Sequence, residues 1–384
     1  MAALSPRPNE PTHTEGPIVV AGFFNTASGL GESARLCLNA LRGSGIESYG
    51  IDLSSALMQG SSTIHQFATA PRSSEPGTLI LHVNPPLVPM ALFRLGRRVV
   101  RNKRIVGFWH WELPRLPNDW LRDFDYIHEV WVPSAFTASA VRAVKRMPVF
   151  VVRHPVQRGH TVDMLRHRPA GVDLLVLTMF NFRSGFTRKN PLAALAAFAA
   201  AFDGDRRAHL LIKSLEGAAH PAQWRELQAA AAGIPNVTLL DAVLSPAETS
   251  GLIEMSDVIL SLHRSEGFGL VPAEAMLRGK PVVATNFSGT VDFLNSRNGS
   301  PVDYQLIPAI DPQGVYNWPD QLWAEPNIES AAAALRRLRD PGLRAAIGLQ
   351  AAADAAGLFD ASVYVARVAE LLGKPGARTP PVEP

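Results

Sequence analysis

Cysteine and long apolar runs are the two features that this sequence lacks most clearly. Cys37 is the one cysteine in 384 residues, which excludes intramolecular disulfides and cysteine-based zinc sites and is typical of a reducing compartment. Polar or charged residues interrupt every apolar segment before it reaches the roughly 20 residues that span a bilayer. We therefore expect a cytoplasmic protein that does not cross a membrane.

The sequence also lacks a strong excess of one charge. Its 37 Lys and Arg residues and 34 Asp and Glu residues give a formal net charge of +3. This balance permits an anionic ligand or a membrane surface, and it does not require nucleic acid. A hydrophobic content of 47% and a charged content of 18% are those of a globular protein. We expect no nucleic-acid partner.

Apolar strand-like runs alternate with helical patterns twice along the chain. The predicted strands are residues 18–24, 48–53, 78–83, 104–109, 128–132 and 149–153, and then 173–180, 208–213, 237–240, 258–262 and 281–285. Such alternation predicts two Rossmann-like α/β domains, each a doubly wound parallel sheet, facing a central cleft. We place an N-terminal domain at residues 17–160 and a C-terminal domain at 172–350. We expect a last helix at 351–373 to pack back on the N-terminal domain.

A glycine-rich loop follows the first predicted strand. Gly29, Gly31 and Ala34 fit the dinucleotide-binding fingerprint, and Asp52 ends the second predicted strand, where a ribose-binding acid belongs. This pattern keeps an NAD-dependent oxidoreductase open as an alternative. Residues 25–29 make a looser connection than the tight turn that the fingerprint requires. A plain glycine turn and a loop that lines the cleft for phosphate or acceptor are the other interpretations.

An aromatic cluster with the sequence Phe-Trp-His-Trp-Glu-Leu-Pro occupies residues 108–114. It follows a predicted strand, so His110 and Glu112 belong at a carboxyl end that faces the cleft. Aromatic rings beside a histidine and a carboxylate suit a sugar, because rings pack on its apolar face. We predict that Trp109, Trp111 and Glu112 bind a sugar that serves as an acceptor substrate. The alternative is that both tryptophans are core residues.

The strand-to-helix loop at residues 181–191 places Arg183 and Lys189 at its two ends. Two cations there suit a diphosphate, and a solvated basic loop is the alternative interpretation. A second loop, at residues 265–277, sets Glu266 and Glu274 eight positions apart across a glycine-rich turn and a helix start. No His, Asp or Glu cluster has convincing metal-ligand spacing, and we interpret Asp123 and Asp125 as part of a solvated face.

Together these motifs resemble the retaining glycosyltransferases of family four, also called group 1, which have the GT-B fold. The resemblance rests on the order of Arg183 and Lys189, Leu-Leu-Asp at 239–241, Ser-Asp-Val at 256–258, Glu266-Gly-Phe-Gly-Leu, Glu274-Ala-Met and Gly-Lys-Pro-Val-Val-Ala-Thr at 279–285. The glycine loop and the aromatic cluster are similar to those of bacterial polysaccharide and lipopolysaccharide members. The resemblance covers residues 17–373, and Leu-His-Arg at 262–264 departs from the usual proline and serine before the first glutamate.

The resemblance implies a role for each matched residue. Four residues have catalytic roles: Glu266 binds hydroxyls of the donor sugar, Arg183 and Lys189 neutralise the departing diphosphate, and His110 lies near the reacting carbon. Glu274 binds the ribose hydroxyls. The remaining donor-binding residues are Gly29, Gly31, Phe268, Gly269, Leu270 and Val271.

The same resemblance implies transfer of a hexose, mannose or glucose, from a nucleotide sugar such as GDP-mannose or UDP-glucose to a glycan or lipid-linked glycan acceptor. It implies no metal cofactor. A sugar-nucleotide epimerase and a catalytically silent glycan-binding protein stay open as alternatives. Separately, a basic run with neighbouring apolar residues suits peripheral contact with an anionic membrane. Its cations are Arg94, Arg97, Arg98, Arg101, Lys103 and Arg104.

Overall fold

The chain divides into two compact units, which are described separately below. The computed structural model describes residues 5–6, 15–57, 66–70, 73–144 and 147–373. The first unit takes in the described residues up to 111, residues 115–156 and the described residues from 359 onward. The second unit takes in residues 112–114 and 157–358.

The first unit contains a six-stranded sheet in which every pairing is parallel. Its strands are β1 (Ile18–Gly22), β2 (Ser48–Asp52), β3 (Gly77–His82), β4 (Lys103–Phe108), β5 (Glu129–Val132) and β6 (Val149–Val151). They lie in the order β2-β1-β3-β4-β5-β6. The central strands β1 and β3 are buried along their whole length, as expected for parallel strands covered on both faces.

In the described part of the first unit, four helices connect these strands: α1 (Gly29–Gly43), α2 (Val88–Leu95), α3 (Arg97–Val100) and α4 (Ala135–Arg142). Ser28 and Ser134 cap α1 and α4, each accepting a hydrogen bond from a backbone N–H of the first turn. A 3-10 segment, Asn118–Tyr126, lies between β4 and β5. The interpretation of Asp123 as solvated is wrong: its side chain is buried, and burial raises the pKa of its carboxyl to about 6.

The second unit contains another six-stranded parallel sheet. Its strands are β7 (Leu174–Met179), β8 (Ala208–Ser214), β9 (Val237–Asp241), β10 (Val258–Ser261), β11 (Val282–Thr285) and β12 (Ser300–Val302). Their order, β12-β11-β10-β7-β8-β9, reverses direction between β10 and β7. In open parallel sheets, ligands bind beyond the carboxyl ends of the strands at such a switch point.

Seven helices follow in the second unit: α5 (Phe186–Lys189), α6 (Pro191–Phe202), α7 (Pro221–Ala231), α8 (Pro246–Met255), α9 (Leu270–Leu277), α10 (Ile328–Arg337) and α11 (Pro341–Phe359). Proline opens α6, α7 and α8, where its fixed φ suits the first helical position. Ser245 and Glu248 add a capping box to α8. The apolar faces of β7, β8 and α6 form the centre of the core of this unit.

An antiparallel hairpin inserted after β12 was not predicted. It pairs β13 (Tyr304–Pro308) with β14 (Leu322–Pro326), with Leu306 opposite Ala324. Its connecting segment is organised by Asp311, whose buried carboxylate accepts hydrogen bonds from the backbone N–H groups of Gln313, Val315 and Tyr316. The hairpin therefore presents an ordered loop rather than a loose one.

The last helix, α12 (Ala361–Leu372), belongs to the first unit. Its buried residues Tyr364, Val365 and Val368 pack in the same core as Ile18 and Val20 of β1. No described helix is both long and apolar enough to cross a membrane. The predicted α/β class with two doubly wound parallel sheets is confirmed, and the ends of each predicted strand lie within two residues of the observed ends.

Candidate functional site

Two loops meet at the switch point of the second sheet. The loop after β7 carries a 3-10 turn (Phe182–Ser184) and the short helix α5, and Asn190 ends it in the left-handed conformation with φ 52°. This path brings Arg188 and Lys189 to the last turn of α5. The loop after β10 carries Glu266. Because β7 and β10 are neighbours, the two loops start from adjacent carboxyl ends.

The backbone of Glu266 is fixed on both sides. Its N–H donates to Ser288 Oγ at 2.8 Å, and its C=O accepts from the N–H of Gly289 at 2.9 Å. The side chain is therefore held in a defined direction by the segment that follows β11. Only 8% of the residue is exposed.

Glu266 is held by two cations from the other loop. Lys189 Nζ donates to Glu266 Oε1, and Arg188 Nη1 lies 3.2 Å from Glu266 Oε2. The side chain of Arg188 is 3% exposed and that of Glu266 is 11% exposed. The structure thus brings together Lys189 and Glu266, two of the four predicted catalytic residues, in a buried ionic cluster.

Arg188 is the residue of this cluster that sequence analysis missed. Its Nη1 donates to Ser265 O at 2.7 Å, while its Nε and Nη2 donate to Ser184 O at 3.1 and 2.8 Å. The guanidinium also lies over the ring of Tyr316, 5.3 Å from its centroid. One side chain therefore ties the loop after β7 to the loop after β10 and to the hairpin insertion. The sequence did contain a signal for Arg188, because it is a second basic residue directly before the predicted cation Lys189.

The electrostatics of the cluster favour the charged forms of Glu266 and Arg188. Burial alone raises the pKa of the Glu266 carboxyl, but the nearby charges of Lys189 and Arg188 outweigh it and hold that pKa at about 2. Burial lowers the pKa of Lys189, and the Glu266 carboxylate opposes this shift. The charge of Glu112 also acts on Arg188 and Lys189, so two carboxylates balance the two cations. The cations themselves, and not a net positive charge, are the groups that a phosphate can bind.

Arg183 lies on the same loop with a different partner. Its Nε donates to Glu216 Oε2 at 2.9 Å, and its side chain is 46% exposed. Glu216 follows β8, the neighbour of β7 on the side away from β10. The predicted pair of Arg183 and Lys189 is therefore divided in this structure, with Lys189 on Glu266 and Arg183 on Glu216.

The glycine turn before α9 places the remaining donor-binding candidates of the second unit. Gly269 has φ +100°, and a Cβ there would meet Thr290 at 2.6 Å, so the position requires glycine. Phe268 is buried against Phe293, with ring centroids 5.3 Å apart. Leu270 and Val271 begin α9, and Glu274 follows one turn later, half-buried.

Residues 262–264 depart from the family pattern, and Arg264 among them contacts the inserted hairpin. Arg264 Nε donates to Glu325 Oε2 at 2.6 Å, and its guanidinium lies 5.7 Å from the centroid of the Trp323 ring. Both partners belong to β14. His263 is buried and bonded to Ser261 Oγ at 3.0 Å, and burial lowers its pKa to about 4. Arg264 therefore fastens the inserted hairpin beside the cluster.

The glycine loop of the first unit builds the start of α1. Ser28 Oγ accepts from the N–H of Gly31 at 3.1 Å. A Cβ on Gly31 would lie 2.6 Å from Phe23 O, whereas a Cβ on Gly29 would meet nothing within 4 Å. The carboxylate of Asp52 accepts hydrogen bonds from Asn25 and Ser54. The Asp52 carboxylate is therefore already hydrogen-bonded to neighbouring residues, unlike the ribose-binding acid of the dinucleotide fingerprint.

The two tryptophans predicted to bind acceptor are interior residues, and that prediction is wrong for this structure. Trp109 is fully buried and packs edge-on against Phe124 at 4.9 Å. Trp111 is 4% exposed, and its Nε1 donates to Arg115 O at 2.7 Å. Neither ring offers a face to a sugar. Glu112 groups with the second unit and accepts a hydrogen bond from Tyr316 Oη at 3.2 Å.

His110 is half-buried beyond the carboxyl end of β4. Its backbone N–H donates to Asn84 Oδ1 and its C=O accepts from Asn84 Nδ2, both at 2.8 Å. Its Nε2 lies 3.0 Å from His154 Nε2. Burial lowers the pKa of His110 to about 3, so the ring is neutral at physiological pH. Within the described ranges, no group of three or more His, Cys, Asp or Glu residues is arranged to hold a metal ion.

A family model described as "Glycosyl transferases group 1" matches residues 175–323, less than half of the chain. The match spans both loops of the buried cluster. No curated protein sequence matches the chain. The family match therefore concerns the second unit.

Solved glycosyltransferase structures resemble the fold over nearly its whole length. Anabaena HepE in complex with UDP and glucose has 15% identity and a TM-score of 0.64, covering 94% of this chain and 100% of its own. The pneumococcal O-GlcNAc transferase GtfA, in complex with UDP and GlcNAc, has 11% identity and a TM-score of 0.62, with coverages of 94% and 99%. Sucrose-phosphate synthase from Thermosynechococcus elongatus has 16% identity and a TM-score of 0.63, with coverages of 93% and 98%.

These likenesses show the fold: the chain has the two parallel six-stranded sheets of GT-B glycosyltransferases, as predicted. Together with the family match over residues 175–323, they support a group 1 glycosyltransferase, and so a transferase enzyme.

Proposed function

We propose that the chain is a cytoplasmic, retaining glycosyltransferase that moves a hexose from a nucleoside-diphosphate sugar to a glycan or lipid-linked glycan. The buried cluster of Lys189, Arg188 and Glu266 at the switch point carries the proposal. A carboxylate that binds sugar hydroxyls and a cation that meets a diphosphate are the two groups that such a donor needs in adjacent places. The family match over residues 175–323 supports the same assignment.

The leaving group sets the chemistry of the proposed site. When the bond between the sugar and the diphosphate breaks, negative charge grows on the leaving phosphate oxygen, and a preorganised cation there lowers the barrier. In this proposal the ammonium group of Lys189 leaves Glu266 when the donor binds and contacts the donor phosphates instead. Arg188 stays with Glu266, because its other donors are anchored on Ser184 and Ser265.

Glu266 then has one cation fewer and a free oxygen for sugar hydroxyls. Its pKa of about 2 belongs to the arrangement with both cations in place. After Lys189 leaves, Arg188 still favours the charged carboxylate, which accepts hydrogen bonds and does not donate a proton. Arg183 joins Lys189 at the diphosphate by leaving Glu216. The Arg183 side chain is 46% exposed, so solvent weakens its ion pair with Glu216 and makes this exchange easier than one at the buried Arg188.

The remaining donor contacts come from α9, from the glycine loop and from His110. Glu274 binds the ribose hydroxyls, and the backbone N–H groups of Phe268, Gly269, Leu270 and Val271 face the donor at the start of α9, where a helix N-terminus favours anionic groups. In this proposal Gly29 and Gly31 of the first unit contact the diphosphate of the donor, and His110 contacts its sugar. UDP is the nucleoside diphosphate that we favour, since HepE and GtfA were both solved with it.

A thermal-shift screen across nucleotide sugars tests the donor class. UDP-glucose, UDP-GlcNAc, GDP-mannose and NAD are compared at equal concentrations, and a ligand at 100 times its dissociation constant stabilises the protein by about 2.7 kcal/mol. We expect stabilisation by at least one sugar nucleotide and release of its nucleoside diphosphate on incubation. Stabilisation by NAD alone contradicts the proposal. Conversion of the bound sugar to its epimer without diphosphate release also contradicts it.

We also propose that the first unit rests on an anionic membrane through α2 and α3. Phe93 is 40% exposed, and four exposed arginines follow it; among the described residues they form no ion pair. These arginines are Arg94, Arg97, Arg98 and Arg101. The earlier assignment of Lys103 and Arg104 to this surface is wrong, because Lys103 is buried on Ser73 O and Glu75 O and Arg104 pairs with Glu129.

Co-sedimentation with vesicles of phosphatidylserine and phosphatidylcholine tests this surface. Each arginine near an anionic surface contributes about 1 kcal/mol, so reversal of all four to glutamate should abolish binding. The matched control reverses four exposed arginines of the second unit, Arg206, Arg225, Arg297 and Arg337. Equal loss of binding in both variants would show a non-specific charge effect and contradict the proposed surface.

A further inference from the structure

Three imidazoles surround Phe108 in the first unit. His82 ends β3, His110 follows β4 and His154 follows β6, so all three lie at or just beyond carboxyl ends of the sheet. Their ring centroids lie 4.5, 5.4 and 5.3 Å, respectively, from that of Phe108. His82 and His154 are buried, and His110 is the most exposed of the three.

His154 contacts His110 edge to edge. The ring planes are 11° from parallel with centroids 5.2 Å apart, and the two Nε2 atoms lie 3.0 Å apart. A neutral imidazole has one N–H donor and one bare acceptor nitrogen. A hydrogen bond between two Nε2 atoms therefore holds one proton, so the protonation of His154 Nε2 decides whether Nε2 or Nδ1 of His110 carries its proton.

Burial keeps both rings neutral at physiological pH, which is compatible with one hydrogen bond between them. Burial lowers the pKa of His110 to about 3, and burial together with the charges of His110 and His82 lowers that of His154 well below its ordinary value. If both rings were protonated, two donors and two positive charges would face each other. At physiological pH the contact is a hydrogen bond between neutral rings.

The other nitrogen of His110 is the one left for a ligand. Its Nδ1 is buried and has no hydrogen-bond partner among the described residues. An unpaired buried polar atom costs about 1 to 3 kcal/mol, so this one requires an explanation, and a ligand group that bonds to it is one. His110 itself is held in place from behind, since Asn84 bonds both its backbone N–H and its C=O.

We infer that His154 is a positioning residue for His110: it occupies Nε2, fixes the tautomer and the plane of the ring, and leaves Nδ1 for a hydroxyl of the donor sugar. This inference rests on the proposed function, in which His110 contacts that sugar. His154 acts through His110 and does not itself touch the donor. Its role is distinct from simple packing, because stacking on Phe108 alone does not select a tautomer.

Two substitutions separate the hydrogen bond from the stacking. His154→Phe keeps a flat ring against Phe108 and His110 but has no nitrogen, whereas His154→Gln loses the aromatic ring but keeps an amide that can bond His110 Nε2. His82→Phe is the matched control, because His82 stacks on Phe108 from another strand and bonds Ser33 Oγ at 2.7 Å. All three are checked by thermal unfolding first.

The first readout is independent of activity. Nitrogen-15 NMR of histidine rings reports the tautomer, with the His110 signals assigned by their loss in His110→Gln. We expect two well-separated nitrogen shifts for His110 in wild type, in His154→Gln and in His82→Phe, and shifts that move towards each other in His154→Phe. An unchanged His110 tautomer in His154→Phe would overturn the inference, whatever the activity.

The second readout is donor turnover. We expect kcat to fall by about 10- to 100-fold in His154→Phe, the loss seen when the outer partner of a metal-binding histidine is removed, with a smaller change in KM and recovery in His154→Gln. If the His110 tautomer changes in His154→Phe while kcat stays the same as in wild type, the positioning role is overturned. If wild type turns over no sugar nucleotide while the tautomer depends on His154, the proposed function fails and the ring geometry stands.

Discussion

The ammonium group of Lys189 donates a hydrogen bond to the carboxylate of Glu266, although the two residues lie 77 positions apart in the sequence. The contact joins the loops that follow β7 and β10 at the switch point of the second sheet. It unites the cation and the carboxylate that the family resemblance assigns to the diphosphate and to the donor sugar. The predictions below follow from this cluster and from the elements around it.

Arg188 should matter for stability more than any exposed arginine of the same loop. Arg188→Ala leaves Glu266 with one cation fewer and removes the donors to Ser184 O and Ser265 O, so we expect a loss of about 3 to 5 kcal/mol in the free energy of unfolding. Arg183→Ala should cost less than Arg188→Ala, because the Arg183 side chain is 46% exposed and that of Arg188 is 3% exposed. Urea unfolding of both variants measures the difference, and equal losses would contradict the buried role of Arg188.

Gly31 and Gly29 should respond differently to one added methyl group. A Cβ at Gly31 would lie 2.6 Å from Phe23 O and 2.8 Å from Thr26 O, so Gly31→Ala should destabilise by about 1 to 3 kcal/mol. Gly29→Ala meets open space and gains helix propensity, so it should be neutral or stabilise by up to about 1 kcal/mol. Thermal unfolding measures both, and a larger loss in Gly29→Ala would contradict the loop geometry.

His263 should make the second unit sensitive to acid. Burial holds the pKa of His263 at about 4 in the folded protein, against 6.5 for the free side chain. Between these values the unfolded chain binds a proton that the folded chain does not. Stability is therefore fully present above pH 6.5 and lost as pH falls to 4, by about 3 kcal/mol. The unfolding free energy of His263→Asn should depend less on pH over this interval, and identical pH profiles would refute this account.

Glu274 should recognise the ribose. A charged hydrogen bond contributes about 1.5 to 3 kcal/mol, so Glu274→Ala should weaken binding of the nucleotide sugar by roughly 10- to 150-fold. The sharper comparison uses a nucleoside diphosphate that lacks both ribose hydroxyls. Wild type should bind this analogue much more weakly than the parent nucleotide, while Glu274→Ala should hardly distinguish the two. Calorimetric titration gives all four affinities, and a variant that still discriminates against the analogue places the ribose elsewhere.

The sequence predicted most of the fold because its signals are local. Runs such as residues 174–179 and 258–261 are continuous and apolar, and proline or a capping residue marks the starts of α6 and α8. The hairpin of β13 and β14 was not predicted, because residues such as Tyr304 and Gln305 are exposed and both strands contain proline. Its stability comes from tertiary partners, above all Arg264 with Glu325, which no local pattern contains.

The site was only partly predictable for the same reason. Lys189 and Glu266 were found by motif spacing, and the structure places them together. Arg188 looks like any basic residue of a polar loop until the fold buries it against Ser265 O and Tyr316. Trp109 shows the reverse error, since an aromatic residue beside His110 suits a sugar by composition but is buried by the fold.

Turnover of a nucleotide sugar by Lys189→Ala and by Glu266→Ala tests the central claim most directly. Lys280→Ala and Glu254→Ala are matched controls, because they break a lysine and glutamate pair elsewhere in the same unit, where Nζ and Oε1 are 3.8 Å apart. Each site variant should lose on the order of 100-fold in kcat, as expected for groups that act in the transition state, while the controls stay near wild type. Turnover of both site variants within about twofold of wild type would contradict the account.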